Sequence, residues 1–366
     1  MAANGGEVAN GTDEEVFYRI RQALEVVHSP YSANDARRQA QDFLEELKGM
    51  PQAPLHGYNL AKEKSQMHIV RHYGLSLLEH AIRYQWSTYD PSQVSALLSW
   101  VLELSQAVSR DDPAFLRNKV AQLWVEVAKR CWGDAWMDMD ARLVELWNVP
   151  DSAVHKEFVM LILESLSEEV FTGEDTVVAL RESILSKACV EIFTPTSVLL
   201  DAFPNRQAGP DVRYGHEGWL SRISQLLSLC LTSDVQNNEE VKVCTLRCLT
   251  VLQVLLPWAI PKAIAAAQCV SILGQGLACP SPEVQKVQYS PRDLQRLLSY
   301  KTILTPGARA PLRSSMRSMV ASTSLMKSLA TSWLLCTCTH PYNSAKTLWS
   351  GRQSTLRIST MISTSF

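Results

Sequence analysis

The chain has little glycine, and the strand-like alternation of β-branched residues is rare. Only 15 of the 366 residues are glycine, whereas 46% of the residues are apolar. Sheets joined by tight turns need glycine at the turns and alternation along the strands. The composition therefore fits a soluble helical protein.

Targeting and membrane-spanning signals are also missing. Residues 1–11 are small and polar, without the basic and apolar regions of a signal peptide. The longest apolar run, 251–270, contains Pro257, Pro261 and Lys262. Because two prolines and a charge interrupt it, we expect two packed helices there and no bilayer span.

The nine cysteines do not follow a disulfide framework. An odd number without regular spacing favours reduced thiols in a cytosolic or nuclear protein. Cys244 and Cys248 lie one helical turn apart, but no second pair completes a zinc site. We expect these cysteines to pack in the core.

Signatures of catalysis are lacking as well. The sequence has no serine nucleophile elbow, no phosphate-cradling glycine loop and no cysteine–histidine site. His68 and His72 have the spacing of a zinc peptidase, but Ile69 replaces the glutamate which that chemistry needs. Asp138 and Asp140 lie at a helix start, where acids favour the helix dipole. We therefore predict no enzyme activity, no metal and no cofactor.

Acidic residues stop abruptly at Asp293. Residues 1–293 hold 26 basic and 37 acidic side chains, a net charge of −11, whereas residues 294–366 hold nine basic side chains and no acid. An acidic body disfavours nucleic acid and favours basic protein partners. Arg37–Arg38 and Lys129–Arg130, the basic doublets of the body, are predicted to lie on solvated helix faces.

What the sequence does contain is a repeated pair of amphipathic helices. Asp90–Pro91 and Asp112–Pro113 each join an N-cap acid to a proline at the first helical position. Repeating units of this size predict an all-α fold, an α-solenoid of about six HEAT-like helical hairpins. Residues 1–12 are predicted to be disordered, with Thr12 as the cap of the first helix. Loops are predicted at 51–57 and 203–218. The further predicted helices are 34–49, 61–86, 91–109, 115–131, 137–147, 152–171, 175–193, 217–232, 238–256 and 261–279.

The helical pattern fails in the last 73 residues, of which 24 are serine or threonine. Residues 294–366 fit an irregular or disordered basic tail, a linker, or a stretch read in a non-native frame, and the lack of acids favours the last. A solenoid also needs a polar cap on its final repeat, and none is visible. We therefore expect a truncated copy of something longer.

Several motifs resemble a known family. The exportin-five branch of the importin-β-like karyopherins has a characteristic second repeat. This chain resembles that repeat, in the form found in fungal members, at residues 70–75, at residues 78–80 and at Trp86. Residues 129–139 resemble the third-repeat turn, 157–170 the fourth repeat, and 29–47 the amino-terminal importin-β domain. The residues that carry the signature, expected to be structural, are Arg71, His72, Gly74, Leu75, Glu79, His80, Trp86, Trp132 and Trp136.

The resemblance covers residues 13–290, the amino-terminal portion of such a receptor. It implies an importin-β amino-terminal-like domain at 13–109 and exportin-like HEAT repeats at 110–293. It also implies a receptor that shuttles between nucleus and cytoplasm through the nuclear pore, with Ran-GTP, nucleoporins and protein cargo, including phosphorylated cargo, as partners. Animal relatives also carry structured RNA, but the charge of −11 argues against RNA binding by this chain alone.

The same resemblance suggests where Ran-GTP binds. In this family the second helix of each pair usually lines the concave side. The outward residues of 34–49 and 91–109, namely Gln41, Glu45, Ser95 and Glu103, are therefore the predicted contacts. The alternative is a HEAT scaffold that assembles other proteins without Ran dependence.

Overall fold

The computed structural model describes residues 7–150, 152–204 and 217–286. These residues form helices, and no strand occurs among them, which confirms the all-α prediction. The helices are α1 (Glu7–His28), α2 (Asn34–Lys48), α3 (Ala53–Lys62), α4 (His68–Tyr84), α5 (Pro91–Gln106), α6 (Ala114–Cys131), α7 (Met139–Trp147), α8 (Ala153–Phe171), α9 (Thr176–Leu180), α10 (Glu182–Phe193), α11 (Thr196–Ala202), α12 (Trp219–Thr232), α13 (Glu239–Leu255), α14 (Pro261–Ala266), α15 (Cys269–Leu277) and α16 (Pro282–Lys286), with a 3-10 turn at Trp86–Thr88.

The chain divides into two compact units. Among the described residues, unit 1 contains 7–132, 145–150 and 152–165, and unit 2 contains 133–144, 166–204 and 217–286. In unit 1, α1 packs on α2, α3 packs extensively on α4, and α5 packs on α6. Helices that follow one another along the chain are therefore paired, as the HEAT-like prediction requires, and α4 also packs on α6 to join successive pairs.

Helix starts were predicted with mixed success. At α5 the Asp90 side chain accepts hydrogen bonds from the backbone N–H of Ser92 and Gln93, and the Gln93 side chain accepts from the Asp90 N–H. The predicted N-cap is thus confirmed. The first helix, by contrast, begins at Glu7 and not at Thr12, so residues 7–12 of the predicted disordered segment are helical.

The region 51–86 is organised differently from the prediction. Residues 53–57, expected to be a loop, begin α3, and Pro54 lies in its first turn, where the missing N–H is tolerated. The single helix expected at 61–86 is interrupted after Lys62. The Glu63 carboxylate accepts bonds from the Ser65 backbone N–H (3.1 Å) and hydroxyl (2.8 Å), a local turn that competes with the helix.

Two glycines allow α3 and α4 to approach closely. A Cβ atom on Gly74 would lie 2.6 Å from the carbonyl oxygen of Gly57, and a Cβ atom on Gly57 would lie 2.6 Å from the carbonyl oxygen of Gly74. Neither position accommodates a side chain while the backbones keep this distance. Gly57, which suggested a loop in the sequence, therefore belongs to a helix crossing.

Unit 2 contains shorter helices than predicted. The helix expected at 175–193 is divided at Arg181, and that expected at 261–279 is divided at Gln268, whose φ of 53° is left-handed. In this unit α12 packs on α13 and α15, and Phe171 stacks on Trp258 with ring centroids 4.1 Å apart. Gly218, with a φ of 73°, precedes α12 where a Cβ would meet the backbone of 193–195.

Residues 294–366 and most of the predicted loop at 203–218 lie outside the described residues, so both interpretations stay predictions. Among the helices that the structure does describe, none is long and apolar enough to span a bilayer.

Candidate partner-binding surface and the ion pairs that support it

Asp112 lies at the centre of a buried ion-pair cluster, and this corrects its predicted role. Its carboxylate accepts hydrogen bonds from Lys64 Nζ and Arg71 Nη1, each at 2.6 Å, and from the Ser109 backbone N–H at 2.9 Å. Pro113, not Asp112, is the N-cap of α6. These four residues, which we call the Asp112 cluster, join the α3–α4 loop, α4 and the α5–α6 loop.

The electrostatics of the Asp112 cluster favour the charged carboxylate. Burial alone would raise the pKa of Asp112, but hydrogen bonds from Lys64, Arg71 and Ser109 outweigh burial and lower the pKa to about 2. Arg71 also donates from Nε to the Ala61 carbonyl at 3.1 Å. One guanidinium group thus ties the end of α3 to α4 and to Asp112.

A second cluster surrounds Glu126, and here the prediction for Lys129–Arg130 was wrong. Lys129 is fully buried, and its Nζ donates to Glu126 Oε1 at 2.9 Å. Arg130 Nη1 donates to Glu126 Oε2 at 2.6 Å, and Arg83 Nε lies 3.9 Å from Oε1. The doublet is therefore a set of partners for one buried carboxylate, not a solvated face.

Between these clusters, α4 and α6 share further contacts. Lys119 pairs with Glu79, and the ring of His72 lies edge-on to Phe115 with centroids 5.6 Å apart. Burial, then the charge of Lys119, lowers the pKa of His72 against the opposing effect of Glu79. Three sets of ion pairs therefore hold α4 against α6: the Asp112 cluster, the pair of Lys119 with Glu79, and the pairs around Glu126.

The residues of the predicted family signature fall into two groups. Arg71, Gly74, Leu75, Trp132 and Trp136 are buried, Trp132 in unit 1 and Trp136 in unit 2. His72, Glu79, His80 and Trp86 are half-buried. The His80 ring lies beside Tyr84, with centroids 5.0 Å apart. The first group fills the core, while the second reaches the surface of α4 and the turn that follows.

The four predicted Ran contacts are all exposed but lie on helices with different positions in their pairs. Gln41 and Glu45 are on α2, which is the second helix of its pair. Ser95 and Glu103 are on α5, which is the first helix of the pair α5–α6. The sequence count differs from this order because α3 and α4 were predicted as one helix, so the contacts themselves stay a prediction.

The helix that carries Gln41 and Glu45 contacts the second helix of the next pair. Tyr73 on α4 donates its hydroxyl to the Leu44 carbonyl at 2.6 Å, and Gln85 donates to the Lys48 carbonyl at 3.2 Å. Glu103 on α5 instead accepts a hydrogen bond from Tyr58, whose pKa burial and this carboxylate raise to about 12. Helix α2 thus contacts α4, while α5 contacts α8, where the Gln106 carbonyl lies 3.2 Å from His155 Nε2.

The residues considered for metal binding have other surroundings. His68 is exposed at the start of α4, and Asp140 is buried and accepts a 2.5 Å hydrogen bond from the Trp219 indole. Asp138 pairs with Arg142 at 2.9 Å. No group of three potential metal ligands occurs in the described part of the chain.

Sequence reasoning missed Asp112, Glu126 and Gly57. Asp112 was missed because the Asp–Pro sequence is also a typical signal for the start of a helix. Glu126 carried a usable signal, because Lys129 and Arg130 follow it at i+3 and i+4 on a helix whose other residues are mostly apolar.

The comparisons with known proteins agree with the sequence motifs. The exportin 1-like protein family matches residues 113–192. Protein MSN5 of Saccharomyces cerevisiae is 34% identical over 284 residues, covering 74% of this chain and 22% of that protein. Exportin-5 of Homo sapiens is 33% identical over 159 residues, covering 42% of this chain and 13% of that protein. The predicted resemblance to the exportins is confirmed.

The chain spans less than a quarter of the length of these relatives. A crystal structure of an engineered protein aligns with 77% of the chain at 15% identity, but its TM-score of 0.26 carries no argument.

Proposed function

We propose that this chain, whose residues 113–192 match the exportin 1-like family, is the amino-terminal part of a nuclear transport receptor that binds Ran-GTP. The observation that carries the proposal is the 34% identity to Protein MSN5 over 74% of the chain, supported by the similarity to Exportin-5. The chain acts by binding other proteins and not by catalysis.

We place the Ran-GTP contact on the exposed face of α2 and the adjoining part of α4. Gln41 and Glu45 are supported by their exposure on a second helix and by the direct contacts between α2 and α4. On α4 the half-buried His80 follows Tyr73 at i+7 and therefore lies on the helix face that contacts α2. Ser95 and Glu103 are removed from the proposed contact, since α5 is a first helix.

The remaining partners follow from the family. Protein cargo, including phosphorylated cargo, and nucleoporins are proposed partners of the complete receptor, which moves between nucleus and cytoplasm. Coupling between Ran and cargo requires contacts that differ between two states of the receptor. A chain of this length supplies only part of those contacts. Ran binding is therefore the activity that we propose for this chain itself.

A pull-down of Ran loaded with a GTP analogue or with GDP tests the proposal. Gln41→Lys with Glu45→Lys places two ammonium groups on α2, and we expect it to weaken Ran-GTP capture at least tenfold. The matched control is Ser95→Lys with Ser99→Lys, which puts the same pair at the same i,i+4 spacing on the exposed face of α5. The control should bind as the unaltered chain does.

Two outcomes would overturn the proposal. Equal capture of Ran-GTP and Ran-GDP would favour a HEAT scaffold without Ran dependence. If Ran-GTP binds selectively and only Ser95→Lys with Ser99→Lys weakens this binding, the contact lies on the first helices of the pairs.

A further inference from the structure

A pocket opens in unit 1 where the carboxyl ends of α3 and α5 meet α4 and the start of α6. Its apolar lining consists largely of the buried residues Leu75, Leu104, Leu116 and Val120. Its charged lining consists of Lys62, Lys64, Arg71, Arg117 and Asp112. We call this site the Arg117 pocket. Its cations outnumber its carboxylates by four to one among the described lining residues.

Asp112 does not accept hydrogen bonds from all the N–H groups of these cations. Lys64 is fully engaged, since it contacts the Ala107 carbonyl, the Ser109 hydroxyl and Asp112. Arg71, however, uses Nε and Nη1, and Arg117 uses Nη1 to reach the Asp112 carbonyl. Both guanidinium groups therefore retain N–H groups that a ligand could engage.

Lys62 adds a third cation with remaining donors. Its ammonium lies 4.5 Å from the centroid of the Tyr58 ring, a contact that uses the charge but no hydrogen bond. Lys62 is exposed, so a ligand reaches it from solvent. The cations with remaining donors are thus Lys62, Arg71 and Arg117.

The surroundings cancel only part of this charge. The carbonyl ends of α3 and α5 each contribute about half a negative charge, which reduces the excess of three positive charges to about two. Glu63 and Glu103 lie outside the pocket lining and already accept hydrogen bonds from Ser65 and Tyr58. A positive excess of this size stands out in residues 1–293, whose net charge is −11.

We propose that the Arg117 pocket binds a carboxylate side chain from an acidic segment of a protein partner. A guanidinium group presents paired N–H donors that match the two oxygens of a carboxylate. The buried leucines and Val120 form an apolar floor beside the cations, as in pockets where a few polar groups orient a ligand next to an apolar lining. The cations surround one small pocket and do not form the extended groove that tracks a nucleic-acid backbone.

Fluorescence anisotropy with the full chain tests this site without Ran. The probe is a labelled hexaglutamate peptide with blocked ends, compared with hexaglutamine and with single-stranded oligouridine. We expect hexaglutamate to bind, and the affinity to fall at least tenfold in Lys62→Gln with Arg117→Gln, because each change removes a charge-assisted contact. Arg38→Gln with Lys156→Gln, outside the pocket, makes the same changes and should keep the affinity.

The melting temperature of each variant checks its folding, and Lys62→Gln alone replaces the double variant if Arg117→Gln unfolds the chain. Failure of hexaglutamate to bind, or equal weakening in the control, would overturn the proposal. Binding of oligouridine with the same sensitivity to Lys62 and Arg117, without binding of hexaglutamate, would also overturn it. Because Ran is absent, failure here leaves the Ran proposal untouched.

Discussion

Single charged residues decide how the helix pairs of unit 1 are joined. Asp112 and Glu126 are both buried. Asp112 pairs with Lys64 and Arg71 from other elements, whereas Glu126 pairs with Lys129 and Arg130 of its own helix and lies near Arg83 of α4. A buried charge is tolerated only when it is paired and hydrogen-bonded. Removing one partner therefore breaks a buried ion pair from one side, and the two sites make separate predictions.

Acid should weaken the fold through Asp112. Its pKa is lowered to about 2 in the folded chain, against about 3.9 for an unfolded aspartate. A depressed pKa gives stability that is complete above pH 4 and is lost as the pH falls toward 2. We expect about 1–2 kcal/mol of the unfolding free energy to disappear over this window after allowance for solvent screening.

Urea unfolding at several pH values measures this effect. Asp112→Asn should show a flatter dependence between pH 4 and pH 2, whereas Asp111→Asn, at the exposed neighbouring position, should behave as the unaltered chain. An unchanged acid dependence in Asp112→Asn would contradict the assignment.

Glu126→Gln should destabilise the chain strongly at neutral pH. It removes the carboxylate that pairs with Lys129 and Arg130, and Lys129 is fully buried. Breaking such a pair from one side costs about 3–5 kcal/mol. Chemical denaturation provides the measurement, with the exposed Glu46→Gln as control; a loss below about 1 kcal/mol would show that Glu126 does not hold these cations.

At the scale of helices, the crossing of α3 and α4 depends on Gly57 and Gly74. Gly74→Ala would place a methyl group 2.6 Å from the Gly57 carbonyl oxygen and 2.9 Å from the Ala61 nitrogen. Both atoms belong to the backbone, so the helices must separate. We expect a loss of about 2–3 kcal/mol in unfolding free energy.

Gly274→Ala is the matched control, because a Cβ atom at this position in α15 would meet nothing within 4 Å. Since alanine favours a helix over glycine, this change should stabilise the chain by about 0.5–1 kcal/mol. Thermal and urea denaturation of both variants give the comparison. A stabilising Gly74→Ala would mean that α3 and α4 cross farther apart.

Helix positions were largely predictable from the sequence, and helix breaks were not. The Asp90 capping box and the apolar stripe of α2 rest on local patterns, which survive in the fold. The break after Lys62 depends on a side-chain turn at Glu63, and the identity of α3 as a helix depends on its packing against α4. The spacing of apolar residues within one segment predicts neither the break after Lys62 nor the packing of α3 against α4.

At the scale of the molecule, the same missed break changed the predicted binding surface. The exposure of Gln41, Glu45, Ser95 and Glu103 was predictable from their outward positions on amphipathic helices. Their assignment to a shared surface depended on the order of the helix pairs, which is a tertiary property. The buried carboxylates escaped prediction for a related reason, since their partners come from other helices or from a doublet that also suits a solvated face.

Titration of the full chain with Ran, monitored by calorimetry, tests the central claim that these helix pairs form a protein-binding surface of the exportin type. We expect measurable binding of Ran loaded with a non-hydrolysable GTP analogue, at least tenfold tighter than binding of Ran-GDP, and weakened by Gln41→Lys with Glu45→Lys. Equal affinity for the two nucleotide states, or no binding to either, would contradict the account.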